Sequence, residues 1–197
     1  MDVAGLADRF RAVLEDTGLL LVHDQELPSA TALAAGAPFG GSWWAHPLAH
    51  PIYDALQLIE DEVTRAKLVK GKVTLIAPRL WPALVAVGSG RRAWQLDGLP
   101  AAANDLLAAV DAAAAPMRTP KGATKEVGVL ERKLLVQTDE VHTESGRHAK
   151  VMQPWQAWAA QMGLAPEALD PEDAAARFEA AAASWPPITG RLFAWSR

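Results

Sequence analysis

Residues 101–152, AAANDLLAAVDAAAAPMRTPKGATKEVGVLERKLLVQTDEVHTESGRHAKVM, hold four segments in a set order. Pro100 to Ala114 reads as a helix that turns Leu106, Leu107 and Val110 inward. Pro116 and Pro120 bracket a brief extended piece, because each proline fixes φ and removes a backbone donor. Thr124 is the expected cap of an amphipathic helix with Val127, Leu130 and Leu134 on one side and Lys125 and Arg132 on the other. Glu140 to Thr143 and His148 to Met152, joined around Ser145-Gly146, read as a hairpin. Helix, extended piece, basic helix and hairpin is the order of a winged helix, in which one helix enters the major groove and the hairpin lies along the phosphates. The middle helix of that pattern would have to fit near Pro120 to Ala123, where the chain is too short for one.

The expected fold class is therefore α+β, a helix-turn-helix with a β-hairpin wing, extended to two tandem degenerate modules sharing a core. The N-terminal half supplies the second. Residues 2–16 place Val3, Leu6, Phe10, Val13 and Leu14 at helical spacing, and Gly18 can end that helix. Leu19 to Val22 reads as a short buried strand, and Ala30 to Ala35 as a modest helical stretch in an Ala/Gly/Pro-rich run from Pro28 to Gly41. From Pro51, the residues Ile52, Ala55, Leu56, Ile59 and Val63 make one apolar helix face, with Asp54, Gln57, Asp61 and Glu62 off it. Residues 66–77 form a hairpin around Lys70-Gly71 with lysines outward. Arg79 to Val87 is a short helix ending at Gly88-Ser89-Gly90. The expected division is 1–98 as an N-terminal module, 99–153 as the winged helix, and 154–197 as a helical tail containing an Asp170-Pro171-capped helix.

Net charge is −4, which by itself argues against a dedicated nucleic-acid binder. The distribution is uneven. Residues 1–64 hold ten acids and two bases, residues 65–151 fourteen bases and eight acids, and residues 152–197 five acids and three bases. From 65 to 96 there are seven bases and no acid. The candidate DNA-binding side chains are Lys67, Lys70, Lys72, Arg79, Arg91 and Arg92 from that strip, with Lys125, Arg132, Lys133, Arg147 and Lys150 from the second hairpin and its helix. The plain alternative is a solvated surface that balances acidic neighbours.

Several strings add a resemblance: Gly18-Leu19-Leu20-Leu21-Val22, Leu27-Pro28-Ser29, Lys70-Gly71-Lys72-Val73-Thr74-Leu75 running into Pro78-Arg79-Leu80-Trp81-Pro82, and Leu134-Leu135-Val136 before the wing. With them the chain resembles the winged-helix families related to the AlkZ-type (YcaQ-type) alkylpurine DNA glycosylases, over most of its length. The resemblance implies stacked winged helices and duplex DNA as partner. Those glycosylases use a glutamine–apolar–glutamine motif, which is absent; the nearest glutamines, Gln153 and Gln156, are separated by Pro154 and Trp155 and cannot share a strand face.

Other groups have plain alternatives. His142 and His148 flank the wing turn with Glu140 and Glu144, and a three-residue loop would set the histidines opposite each other for a divalent metal; a solvated hairpin explains them as well. His46 and His50 are separated by Pro47, which speaks against a shared ligand role. Trp43, Trp44, Trp81 and Trp94 have the chemistry to stack on bases, although eight tryptophans in 197 residues suit core packing. Gly88-Ser89-Gly90-Arg91-Arg92 has the composition of a phosphate cradle but lacks the lysine and hydroxyl of a nucleotide loop.

No cysteine is present, which removes disulfides, thiolate metal sites and cysteine nucleophiles, and no apolar run reaches membrane-spanning length. The expectation is a cytoplasmic protein without membrane contact, metal or cofactor. Its leading role is DNA binding without assigned catalysis. A protein-interaction module and a glycosylase-like repair enzyme are the alternatives.

Overall fold

The computed structural model describes residues 1–142, 148–165 and 168–196, the side chains of His142 and His148 excepted. The fold class is α+β, and the contacts divide the chain into two units: residues 1–81 with 176–197, and residues 82–175.

The first unit opens with α1 (Val3–Thr17), whose Leu6, Phe10 and Leu14 recur every four residues and are buried. Gly18 ends it at φ +82°, its N–H donating to the Leu14 carbonyl, in a left-handed conformation that a side chain would strain. Strand β1 (Leu19–Leu21) is buried throughout. Helix α2 (Ala30–Ala35) starts at Ser29, whose Oγ accepts the Ala32 N–H. Helix α3 (Ala49–Gln57) starts two residues before the expected Pro51 and stops well before Val63. A single 3-10 turn, Glu60–Glu62, replaces the predicted last turns. Three consecutive acids there oppose the negative end of a helix dipole, and the Arg11 guanidinium instead takes the Leu58 carbonyl and the Glu62 carboxylate.

The hairpin is β2 (Thr64–Val69) and β3 (Lys72–Ile76), turned by Lys70 and Gly71 at φ 52° and 66°. Both turn residues are left-handed. Strand β3 lies in the middle of a three-stranded antiparallel sheet of order β1-β3-β2. Leu20, Leu75, Ile52, Ile59, Leu6 and Phe10 close one core over this sheet, each buried side chain contributing about 1.5–3 kcal/mol.

The second unit holds most of α4 (Trp81–Ser89), then α5 (Ala93–Leu96) and α6 (Ala101–Ala112), the short strand β4 (Met117–Arg118), α7 (Thr124–Arg132), β5 (Gln137–His142), β6 (His148–Gln153) and α8 (Trp155–Gln161). Helix α9 (Pro171–Ala181) follows, with Asp170 Oδ1 accepting the Glu172 N–H. The second sheet has order β4-β6-β5, so here too the strand that follows the first long helix pairs with the last strand of the hairpin. Leu106, Val110, Val127, Leu130, Leu135 and Met152 form its core.

Three local expectations are corrected. Thr124 is not a cap: it is the first helical residue, and Ala123 ahead of it makes no side-chain cap bond. Leu134 leaves the helix in a left-handed conformation, φ 51°, yet remains buried. Strand β5 begins at Gln137, three residues before the predicted start. Pro120 to Ala123 is one hydrogen-bonded turn, Ala123 N–H to Pro120 carbonyl, where a middle helix would stand. No helix among the described residues is long and apolar enough to cross a membrane.

Candidate nucleic-acid interface

Most cations of the 65–96 strip are already engaged inside their own unit. Lys70 Nζ donates to Glu26 at 2.7 Å, which raises its affinity for the proton, and Lys72 Nζ donates to Asp24 at 2.6 Å. Asp24 is 1 % exposed. Burial alone would push its carboxyl up, but the Lys72 ammonium and the N–H groups of Glu26 and Leu27 outweigh that and hold it below the ordinary carboxylate range. Arg79 caps α1 from outside, donating to the carbonyls of Leu14, Glu15 and Asp16 at 2.6–2.9 Å. Lys67 is half-buried on β2.

In the second unit Arg91 binds Asp111 at 2.7 Å, and Arg92 binds Glu172 at 2.7 Å and Asp170 at 3.4 Å. Lys133 Nζ donates to the carbonyls of Trp94 and Asp97. Lys150 Nζ reaches Glu131 at 2.6 Å, a buried carboxylate that also accepts the Thr138 hydroxyl. Arg147 lies outside the described residues.

Two of the expected contacts are left, Lys125 and Arg132, both exposed on α7 and without a hydrogen bond or ion pair. Two others join them that the reading of the sequence missed: Arg118 on β4 and Lys121 in the turn into α7, likewise exposed and free. Among the described Lys and Arg side chains the only further free one is Arg191. The signal was present, since residues 112–125 contain Arg118, Lys121 and Lys125 and no acid. Strand β4 is the outer strand of its sheet and is followed by α7, so these four cations follow one stretch of chain, Arg118 on the sheet edge and Lys125 and Arg132 on the helix. The acids Asp139 and Glu140 lie on β5, the opposite outer strand.

Gly128 organises the helix face between Lys125 and Arg132. A Cβ there would meet only Arg132 Nη1, at 3.4 Å, so the arginine folds back over the glycine toward Lys125. The guanidinium thereby lies over the turn that carries Gly128, one turn N-terminal to its own Cα. The fold itself has no packing need for glycine at 128, and Gly128→Ala is expected to raise stability by about 0.5–1 kcal/mol. Urea unfolding checks this; a loss of stability would show that the glycine is structural.

The remaining candidates separate clearly. His142 and His148 are opposite each other in the β5–β6 register, and their side chains, with Glu144, lie outside the described residues. No three His, Asp or Glu side chains among the described residues form a metal-binding group. His46 stacks on Phe39 at 4.2 Å and its Nδ1 accepts the Leu48 N–H, while His50 is exposed on α3. Trp81, Trp155, Trp158 and Trp185 are buried, but Trp44 is 56 % exposed and stacks on Trp43 at 4.0 Å. Gly88 and Gly90 serve packing rather than a phosphate: a Cβ would fall 2.2 Å from Trp155 Cδ1 at the first and 2.9 Å from Pro171 Cγ at the second. Gln153 is buried and donates to Gln137 and Gln161. No protein-family model, curated protein or solved structure matches this chain.

Proposed function

We propose that the chain is a winged-helix protein that binds the phosphate backbone of duplex DNA through Arg118, Lys121, Lys125 and Arg132. The observation that carries this reading is their freedom: the other candidate cations for which a bond is described are bound to acids or carbonyls of their own unit, and these four are spaced along one edge strand and one helix. A cation held by a carboxylate must give up that partner to neutralise a phosphate and release a counterion, whereas a free one need not. The element orders support the winged-helix reading. In the first unit helix, strand, two helices and a hairpin follow in turn, and in both units the first strand lies beside the last. The resemblance to AlkZ-type families points to the same partner. Base excision is no part of the proposal, because Gln153 spends its amide on neighbouring glutamines and Gln156 stands apart on α8.

Titration of a short fluorescent duplex at several salt concentrations tests it. About four phosphate contacts give a log–log slope near −3.6, roughly a 10²-fold loss of affinity between 50 and 200 mM salt. Lys125→Ser with Arg132→Ser is expected to reduce the slope by about 1.8 and to weaken binding at 50 mM by roughly tenfold. Lys70→Ser with Lys72→Ser, which removes paired lysines, is expected to leave the slope unchanged. Equal slopes for the wild type and the α7 variant would refute the reading.

A further inference from the structure

We infer that the second unit also holds a binding site for a small, uncharged, largely apolar molecule. The site is a cavity of about 430 Å³ between α4, α8 and the residues that lead into α9. That volume falls within the roughly 300–1,000 Å³ of small-molecule pockets. Its walls include Ala86 and Ser89 from α4, Gln156 and Ala159 from α8, and Leu164 and Leu169 beyond them. None of the lining residues among the described ones is charged, although charged residues make up 21 % of the chain. An ionic ligand would lose its hydration there with no counter-charge in return, so the site selects neutral ligands.

The packing shows why the space stays open. Gly88 lets Trp155, the first residue of α8, press against α4, and Gly90 does the same for Pro171 at the start of α9. These two close approaches fix the separation of the walls, and the alanines between them are too short to fill it. The wall also carries an unmet polar group. Ser89 Oγ is buried without a hydrogen-bond partner among the described residues, which is uncommon for a hydroxyl and costs free energy. Ser89 is the last residue of α4, and rotation about its χ1 turns the hydroxyl without moving the backbone. Gln156 is exposed and also lacks a partner, so its amide can meet the polar end of a ligand. The ligand class is thus an apolar ring or chain bearing one or two neutral hydrogen-bonding groups.

The probe is N-phenyl-1-naphthylamine, which is neutral and has one N–H, titrated into the full chain and followed by fluorescence. Saturable binding to one site is expected. Ala86→Phe and Ala159→Phe fill the cavity from different helices, and each is expected to weaken the probe at least tenfold without lowering the melting temperature. 1-Anilinonaphthalene-8-sulfonate, with the same rings and an anionic group, is expected to bind at least tenfold more weakly than the neutral probe. Absence of saturable binding, or wild-type affinity in both filled variants, would overturn the site. Equal affinity for the sulfonate would overturn the ligand class.

Discussion

Gly88→Ala is expected to destabilise the second unit by about 3–5 kcal/mol, a large effect for a single methyl group. The added Cβ would lie 2.2, 2.4 and 2.6 Å from Cδ1, Nε1 and Cγ of the Trp155 indole, distances at which one of the two helices must move. Trp155 is 2 % exposed and has nowhere to go without opening its surroundings. Its Nε1 donates to the Leu134 carbonyl at 2.8 Å. That bond steadies the left-handed residue through which the chain leaves α7 for β5. Overpacking costs about 1–3 kcal/mol and the broken buried bond a similar amount, since the Leu134 carbonyl loses its partner. Thermal unfolding followed by tryptophan signals should show the transition lowered by roughly 10 °C. A shift under 2 °C would mean that Trp155 does not seat against Gly88. The contrast with Gly128→Ala, expected to stabilise, separates a glycine required by packing from one that packing does not require.

Much of the backbone is legible in the sequence because it depends on local pattern. The four-residue spacing of Leu6, Phe10 and Leu14, the stop at Gly18 and the Lys70-Gly71 turn each rest on neighbours a few positions away, and α1, β1, β2 and β3 lie where those signals put them. Helix α2 is signalled only by Ser29 and a run of alanines, a weaker local pattern than that of α1. The charged surface is not legible in the same way. The acid-free run 65–96 looks like a cationic strip only along the chain. Lys70 meets Glu26 from 44 residues away, Lys72 meets Asp24 from 48, and Arg92 meets Glu172 from 80. Such pairs are made by topology, and neither composition nor spacing announces them. The free cations of β4 and α7 lie in a less conspicuous run, whose outward-facing acids are few once Glu131 has turned inward to Lys150. Gly88-Ser89-Gly90 misleads for a related reason: a Gly-rich turn before two arginines has the same composition whether its bare backbone meets a phosphate or an indole ring.

Asp24→Ala is expected to cost the first unit about 3 kcal/mol and Asp24→Asn about 1 kcal/mol, the difference measuring what the carboxylate does besides holding Lys72. Oδ1 accepts the N–H groups of Glu26 and Leu27 at 2.8 and 3.0 Å, closing the turn that leads to Ser29 and α2, and Oδ2 accepts Lys72 at 2.6 Å. Asparagine keeps an oxygen for the two amides and gives up the ion pair; alanine gives up both. The Lys72 side chain is 44 % exposed and returns to water at little cost, which limits the penalty of losing the pair alone. The pH dependence has a definite sign. Asp24 titrates below its unfolded value of about 3.9, so the folded chain holds fewer protons than the unfolded one. Its contribution is complete above that value and is lost as pH falls through the lower, folded value. The stability gap between wild type and Asp24→Asn should therefore be constant from pH 7 to about 5 and close progressively below pH 4. Parallel denaturant titrations at pH 7, 5 and 3 measure it, and a gap that persists undiminished at pH 3 would show that the carboxylate's charge is not what Lys72 and the turn amides hold in place.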